Sequence, residues 1–327
     1  MGELLDRRRE GTSERIEELR KELGDAESLC GDRACVYATG SFGRGEASPH
    51  SDLDLFIVGH GSRKDPALSR LDEILLKADL IDVSRKLGLP EFSGDGQYLV
   101  GYTVAELVGT LGTPEDDAEN TFTARLLLLL ESCPLIGESV YHLVIDEVIA
   151  AYWKDYAGHK NDFLPAFLAN DVLRMWRTFC VNYEARTRRE PEKEMAKRRI
   201  KNYKLKYSRM LTCYSALLYL LAVFSRNKTV SPTDAKNMIS LTPTKRLEWL
   251  AAQPELKDAH PLLQALIEGY EAFLSNTDAS EEDLLSRFMD KAKREEYFES
   301  AYQFGDLVFE VLDTIGRRSL FHRLLVV

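Results

Sequence analysis

Two short apolar runs, Ala34-Cys35-Val36-Tyr37-Ala38 and Asp52-Leu53-Asp54-Leu55-Phe56-Ile57-Val58, flank a turn punctuated by Gly40, Gly43 and Gly45. No other stretch constrains the fold as tightly. The first run has the β-branched and aromatic content of a strand and stops at Gly40-Ser41. The second alternates acidic and apolar residues and then becomes wholly apolar, as a buried strand does. Gly59-His60-Gly61 ends it, and residues 66–87 turn to a helical pattern. Gln97 to Thr103, after the turn Ser93-Gly94-Asp95-Gly96, is a third strand candidate. Strand, helix and strand in this order predict a small mixed sheet backed by helices.

Ahead of the sheet, residues 3–28 read as one amphipathic helix, with Leu4, Leu5, Ile16, Leu19 and Leu23 at helical spacing among dense charges. From about residue 115 onward no strand is expected. Helical periodicity runs through 119–132, 139–158, 161–188, 193–225, 258–275 and 279–323. Breaks at Ser132-Cys133-Pro134, Ser231-Pro232, Thr242-Pro243 and His260-Pro261 separate these segments. The fold class expected is therefore α+β, a small mixed sheet with helices followed by an all-α domain.

With 327 residues the chain is long enough for two domains. Its 44% hydrophobic and 29% charged content is that of a soluble globular protein. No uninterrupted apolar run approaches the roughly 20 residues that span a bilayer. The charged N-terminal segment lacks the apolar stretch of a secretory signal. Five scattered cysteines form neither a CxxC pair nor an even disulfide framework, so reduced thiols and a cytoplasmic setting are expected. The net charge of −10 argues against a general nucleic-acid binder. That charge is uneven: Arg174 to Arg209 holds thirteen Lys/Arg against four Glu, a balance of +9 that leaves −19 elsewhere. A polyphosphate ligand and a solvated basic helix pair both account for such a region.

The chemistry concentrates in Thr39-Gly40-Ser41-Phe42-Gly43-Arg44-Gly45-Glu46-Ala47-Ser48-Pro49-His50-Ser51-Asp52-Leu53-Asp54-Leu55. Residues i and i+2 of a strand project from one face, so Asp52 and Asp54 are expected to converge on one point. Two adjacent carboxylates on a strand repel one another unless a cation lies between them. Hard oxygen ligands of this kind suit Mg²⁺ or Mn²⁺, the ions that clamp the oxygens of a phosphoryl transfer. Gly40 lets backbone amides approach a ligand closely, and the Ser41 hydroxyl with those amides can cradle a phosphate. Arg44 is placed to neutralise charge or to brace the loop. An Asp-x-Asp pair alone usually marks a solvated strand end. Its combination with Gly-Ser eleven residues earlier, with a β-run on each side, is much more specific.

This segment resembles the signature of the DNA polymerase β-like nucleotidyltransferase superfamily, a Gly-Ser followed by an Asp-x-Asp strand. Within it, GSFGRGEASPHSDLDLFIV is most similar to the protein-PII uridylyltransferase-like branch. Residues 116–132 resemble the helix that closes that branch's catalytic domain. Lys201 to Arg209 resembles its basic element, with Tyr207-Ser208 in place of a glycine pair. No His-Asp pair of the HD hydrolase type and no ligand-sensing tail is recognisable, so a bifunctional enzyme is not expected. The resemblance implies a third carboxylate from a neighbouring strand, as metal ligand or general base. Asp95 is the first candidate, then Glu91, then Asp82.

Lys204 and Arg209, with Lys206 behind them, are candidates for nucleotide phosphate contacts, the alternative being interhelix pairing or solvation. Arg174 and Arg177 share a helix face with Asp171 one turn earlier. Trp176, Tyr183, Tyr203, Tyr207 and Tyr214 fit core packing better than a base-stacking platform. His50 reads as a surface residue of the motif loop. Thr113 to Asp117 reads as a structural loop feeding a helix. The apolar C-terminal segment from Leu320 suits a docked helix end or an oligomer contact better than a membrane anchor, so a homo-oligomer is admitted.

The expected organisation is a helix over residues 1–30 packed on a nucleotidyltransferase catalytic domain at 31–138, with a helical domain at 139–327 closing the nucleotide cleft. The expected activity is metal-dependent transfer of a nucleoside monophosphate from an NTP to an acceptor hydroxyl on a protein, an RNA end or a small molecule. A nucleotide-binding regulatory module without turnover is the alternative. Modification or masking of a partner protein is a third.

Overall fold

The computed structural model describes residues 2–62, 64–92, 99–184, 191–317 and 319–326. The chain divides into two compact units, the first reaching Lys154 and the second starting at Asp155.

The first unit is built on a four-stranded mixed sheet of order β3-β2-β1-β4. β1 (Ala34–Thr39) pairs antiparallel with β2 (Asp54–Gly59), Thr39 facing Asp54 and Ala34 facing Gly59. β3 (Gly101–Thr103) runs parallel to β2, and β4 (Cys133–Ile136) is antiparallel to β1. β4 is an element the helical reading of this region misses. It is four residues long, carries Pro134 and lies at the sheet edge, where a residue without an N–H is tolerated. The described part of the third strand is also shorter than the expected run from Gln97.

Helices α1 (Glu3–Glu22) and α2 (Gly24–Cys30) replace the single helix expected over 3–28. A helical turn α3 (Gly40–Gly43) follows β1, and α4 (Arg70–Lys86) follows β2, started by Ser69 accepting from the Asp72 amide at 3.1 Å. α5 (Val104–Gly109), α6 (Glu115–Ala118), α7 (Thr121–Leu130) and α8 (Glu138–Tyr152) complete the unit. One sheet face, with Ala34, Val36, Ala38, Leu55 and Ile57, packs on Leu19 of α1, Leu23 between α1 and α2, Ala26 of α2 and Leu76 and Leu80 of α4. Each such leucine withdrawn from water contributes roughly 1.5–3 kcal/mol, so this layer anchors the strands that carry the motif. Strand alternation sends Tyr37 and Phe56 to the other face, where their rings stack at 5.5 Å and adjoin Tyr141 and Tyr102. α8 packs on β1, β2 and β4 and so belongs to this unit, whose end at Lys154 lies sixteen residues past the boundary expected at 138.

A buried ion pair ties the helices together. Arg125, fully buried on α7, donates to both carboxylate oxygens of Asp116 at 2.9 and 2.6 Å, to the Leu107 carbonyl at 2.9 Å and to the Tyr152 hydroxyl at 3.1 Å. The Thr113 to Asp117 segment is thus structural, through a buried carboxylate the sequence pattern does not single out.

The second unit, in its described residues, is helical: α9 (Ala166–Glu184), α10 (Glu192–Lys204), α11 (Met210–Asn227), α12 (Pro232–Ile239), α13 (Pro243–Ala251), α14 (His260–Thr277), α15 (Glu281–Met289), α16 (Lys291–Gly316) and α17 (Leu320–Val326). A π-helical turn, Leu205–Arg209, joins α10 to α11 in one helix of 36 residues. That helix is long and apolar enough to cross a membrane, but 78% of its most apolar window is buried. Burial among neighbouring helices accounts for that apolarity. α12 and α13 start where the sequence shows only breaks: Ser231 and Thr242 cap their first turns, and Pro232 and Pro243 occupy the first helical positions.

Candidate active site

The motif loop leaves β1 at Gly40, whose φ of +65° is a left-handed conformation that costs an L side chain roughly 1–2 kcal/mol. A second constraint acts at the same residue: a Cβ there would stand 2.8 Å from Asp54 Oδ2. Glycine therefore lets the Asp54 carboxylate lie directly over the start of the loop. Ser41 follows, half-buried, in the helical turn α3. The amides of Arg44, Gly45 and Glu46 bond back to the carbonyls of Gly40, Phe42 and Ser41 at 3.0, 3.0 and 2.9 Å, which closes the turn on itself.

Asp54 opens β2 and is half-buried, on the sheet face of Thr39 and Phe56. Asp52 is exposed in the loop two residues before the strand begins. Strand alternation, from which convergence of the two was expected, thus applies to Asp54 and not to Asp52. Thr39 is 1% exposed and its hydroxyl has no hydrogen-bond partner among the described residues. A buried orphan hydroxyl directly opposite Asp54, with two hard carboxylates at the strand entrance, fits a site for a divalent cation and a phosphate-bearing ligand. Among the described residues no three His, Cys, Asp or Glu side chains gather to hold a metal. Asp95 lies outside the described residues. Glu91 is exposed beyond α4, and Asp82 is exposed on α4.

Arg44 is 8% exposed. Its Nε donates to Glu46 and its Nη1 donates to Glu131 Oε2 at 2.9 Å. Of the two roles the sequence allows it, these contacts are those of a brace. Glu131, 2% exposed just after α7, also accepts from the Gly40 amide at 3.3 Å. A Cβ on Gly43 would come within 2.0 Å of the Glu131 carbonyl oxygen, so loop and helix end meet backbone to backbone. Sequence reasoning misses Glu131 because it stands 91 residues from Gly40, in what reads as the end of an apolar helix.

The loop is held from α1 as well. Thr12 Oγ1 accepts from the Ala47 amide at 2.9 Å. Arg15 donates to the Ser48 carbonyl at 2.5 Å and lies over the Phe42 ring at 4.8 Å. Burial lowers the pKa of this guanidinium, partly opposed by Glu18.

In the second unit, Lys204 is exposed at the end of α10, Lys206 lies over the Tyr302 ring at 4.6 Å and Arg209 over the Phe179 ring at 5.3 Å. Arg174 pairs with Asp171 at 3.8 Å. Tyr203 and Tyr207, 0% and 3% exposed, form an aromatic core with Phe273, Phe288, Tyr297 and Phe304. Burial raises both phenol pKa values. These two rings are packing elements, as helical spacing suggests.

Comparison with known families bears on the segment that carries this geometry. Residues 16–91 match the family model of the nucleotidyltransferase domain. The match runs from within α1 through α4, and so contains β1, the Gly40-Ser41 turn, Asp52 and Asp54. The matched segment therefore coincides with the part of the chain where the sequence motif and the clamped loop meet. Thr12, Arg15 and Glu131 fall outside the matched residues. No curated protein matches the chain.

Proposed function

We propose that this protein is a divalent-metal-dependent nucleotidyltransferase that moves a nucleoside monophosphate from an NTP to an acceptor hydroxyl. The observation that carries the reading is the approach of Asp54 Oδ2 to Gly40, inside the segment matching the nucleotidyltransferase domain. In this reading Asp52 and Asp54 hold Mg²⁺ or Mn²⁺, which when bound supplies positive charge at the phosphates. Ser41 and the amides of its turn orient the phosphates, and the Thr39 hydroxyl offers a further donor. The acceptor oxygen attacks the α-phosphorus, the bond from the α-phosphorus to the bridging oxygen breaks, and pyrophosphate leaves. Asp95 takes the acceptor proton or completes the metal ligands. Lys204 and Arg209 remain candidates for phosphate contacts by their charge and their place in the basic stretch of the sequence. The motif resembles that of the PII uridylyltransferase-like branch, and a cytoplasmic setting suits such an enzyme.

The test is pyrophosphate release from each of the four NTPs with Mg²⁺ or Mn²⁺, for the wild type and for Asp52→Asn and Asp54→Asn. Release by the wild type that is lost in both variants, with the fold retained, supports the enzyme. Equal release by all three overturns it, and saturable binding without product would instead assign a nucleotide-binding module.

A further inference from the structure

We infer that Glu131 is the positioning residue of the motif loop, fixing Gly40 and Arg44 in the arrangement the nucleotide needs. The inference rests on the nucleotidyltransferase reading above and extends the site beyond the matched residues 16–91.

Three contacts converge on this residue. Oε1 accepts from the Gly40 amide at 3.3 Å, Oε2 accepts from Arg44 Nη1 at 2.9 Å, and the main-chain carbonyl bears on Gly43. The residues held are the first, fourth and fifth of the loop, and the carboxylate that holds them is 2% exposed. Both side-chain neighbours are donors, so both positions require acceptors. Only a carboxylate presents two acceptor oxygens in this space; an amide of the same shape presents one acceptor and one donor. Glu131 also consumes the Gly40 N–H. With the amides of Arg44, Gly45 and Glu46 spent on the turn itself, the donors left for a phosphate are the first-turn amides of Ser41, Phe42 and Gly43 and the Ser41 hydroxyl, and the role of Gly40 is to carry its φ and leave room for Asp54.

This assigns a specific failure to Glu131→Gln. The variant keeps volume and packing but sets an N–H against one of two donors, so the loop loses one tether while the strands and their apolar layer remain. Amide hydrogen exchange followed by mass spectrometry reads this without reference to turnover. Exchange over residues 40–46 is expected to accelerate about tenfold or more, with peptides of β1, α4 and α7 unchanged. Unchanged exchange at 40–46, or acceleration spread evenly over the first unit, would overturn the positioning role.

The kinetic arm uses the full chain with the NTP that the wild type turns over. The kcat/KM of Glu131→Gln is expected to fall on the order of 10²-fold. Glu131→Asp, which keeps two acceptors on a shorter stem, should lie between variant and wild type. Equal kcat/KM in all three would also overturn the inference. If wild type and Asp54→Asn alike release no pyrophosphate, the nucleotidyltransferase reading fails, and the exchange measurement alone decides the role of Glu131.

Discussion

Asp54 Oδ2 lies 2.8 Å from the point where a side chain on Gly40 would begin, and Gly40 itself holds a φ of +65°. The residue that turns the chain out of β1 is thus also the residue that makes room for a carboxylate of β2. Gly40→Ala should cost about 1–2 kcal/mol in stability from the backbone conformation alone. Its effect on turnover should be much larger, on the order of 10²-fold, because Asp54 must turn away from the loop. Urea unfolding and pyrophosphate release measured on the same preparation separate the two effects; full turnover with reduced stability would detach Asp54 from Gly40.

Gly43 is constrained by space rather than by φ. Its added Cβ would meet the Glu131 carbonyl at 2.0 Å and the Ala38 carbonyl at 2.9 Å, both rigid main chain. Gly43→Ala is expected to destabilise the first unit by about 1–3 kcal/mol, the usual cost of overpacking. Gly24→Ala, with nothing within 4 Å of the new methyl, serves as the control and should leave the melting temperature nearly unchanged.

The Arg125–Asp116 pair predicts a different signature. Asp116→Asn leaves a buried guanidinium without its counter-charge and should cost about 3–5 kcal/mol. Replacing both residues by apolar ones of similar volume should recover most of that loss. A single variant that loses almost nothing would show that Tyr152 and the Leu107 carbonyl hold the guanidinium unaided, and a double variant no better than a destabilised single would show that their own need for the Arg125 donors sets the cost.

Three thiols carry a pH dependence. Burial is the first cause in each case, raising Cys30 to about 11 and Cys35 and Cys133 to about 12. A thiol whose folded pKa exceeds its unfolded value favours the folded state while it stays protonated. That contribution is intact below the unfolded pKa of about 8.5–9 and is lost as pH rises through 11–12. Alkylation at pH 8 should leave Cys30 and Cys35 unmodified in the native protein and label them in denaturant, with half-buried Cys133 slowed. Thermal stability should fall as pH climbs above 9, and rapid labelling of Cys30 and Cys35 at pH 8 would contradict their burial.

How far the sequence reads ahead of the structure depends on where the determining contact lies. β1, the glycine turn and β2 are legible because alternation and turn chemistry are local, and the family match coincides with them. Pro232 and Pro243 read as breaks, yet each follows an N-capping Ser or Thr and opens a helix; an X-Pro pair signals a start as readily as a stop. β4 escapes because four residues with a proline carry too little pattern, and its strand character comes from pairing with β1. Asp52 escapes the strand because β2 begins at Asp54, two residues after the acid-apolar alternation starts. Glu131 could not be found from local pattern, since its meaning arises only when the end of α7 meets the loop. One local signal was present, a lone acid ending a run of five leucines.

The two kinds of contact at the end of α7 imply different histories for the positions involved. Gly43 faces a main-chain carbonyl, which every amino acid at position 131 supplies, so no exchange at 131 can relieve it. Position 43 should stay glycine across related chains however much its surroundings drift. Arg44, Glu46 and Glu131 meet through side chains, so a change at one can be answered by a change at another. Relatives of this protein should therefore show an invariant residue beside a trio that varies together, a pattern visible from sequences alone once enough of them are compared.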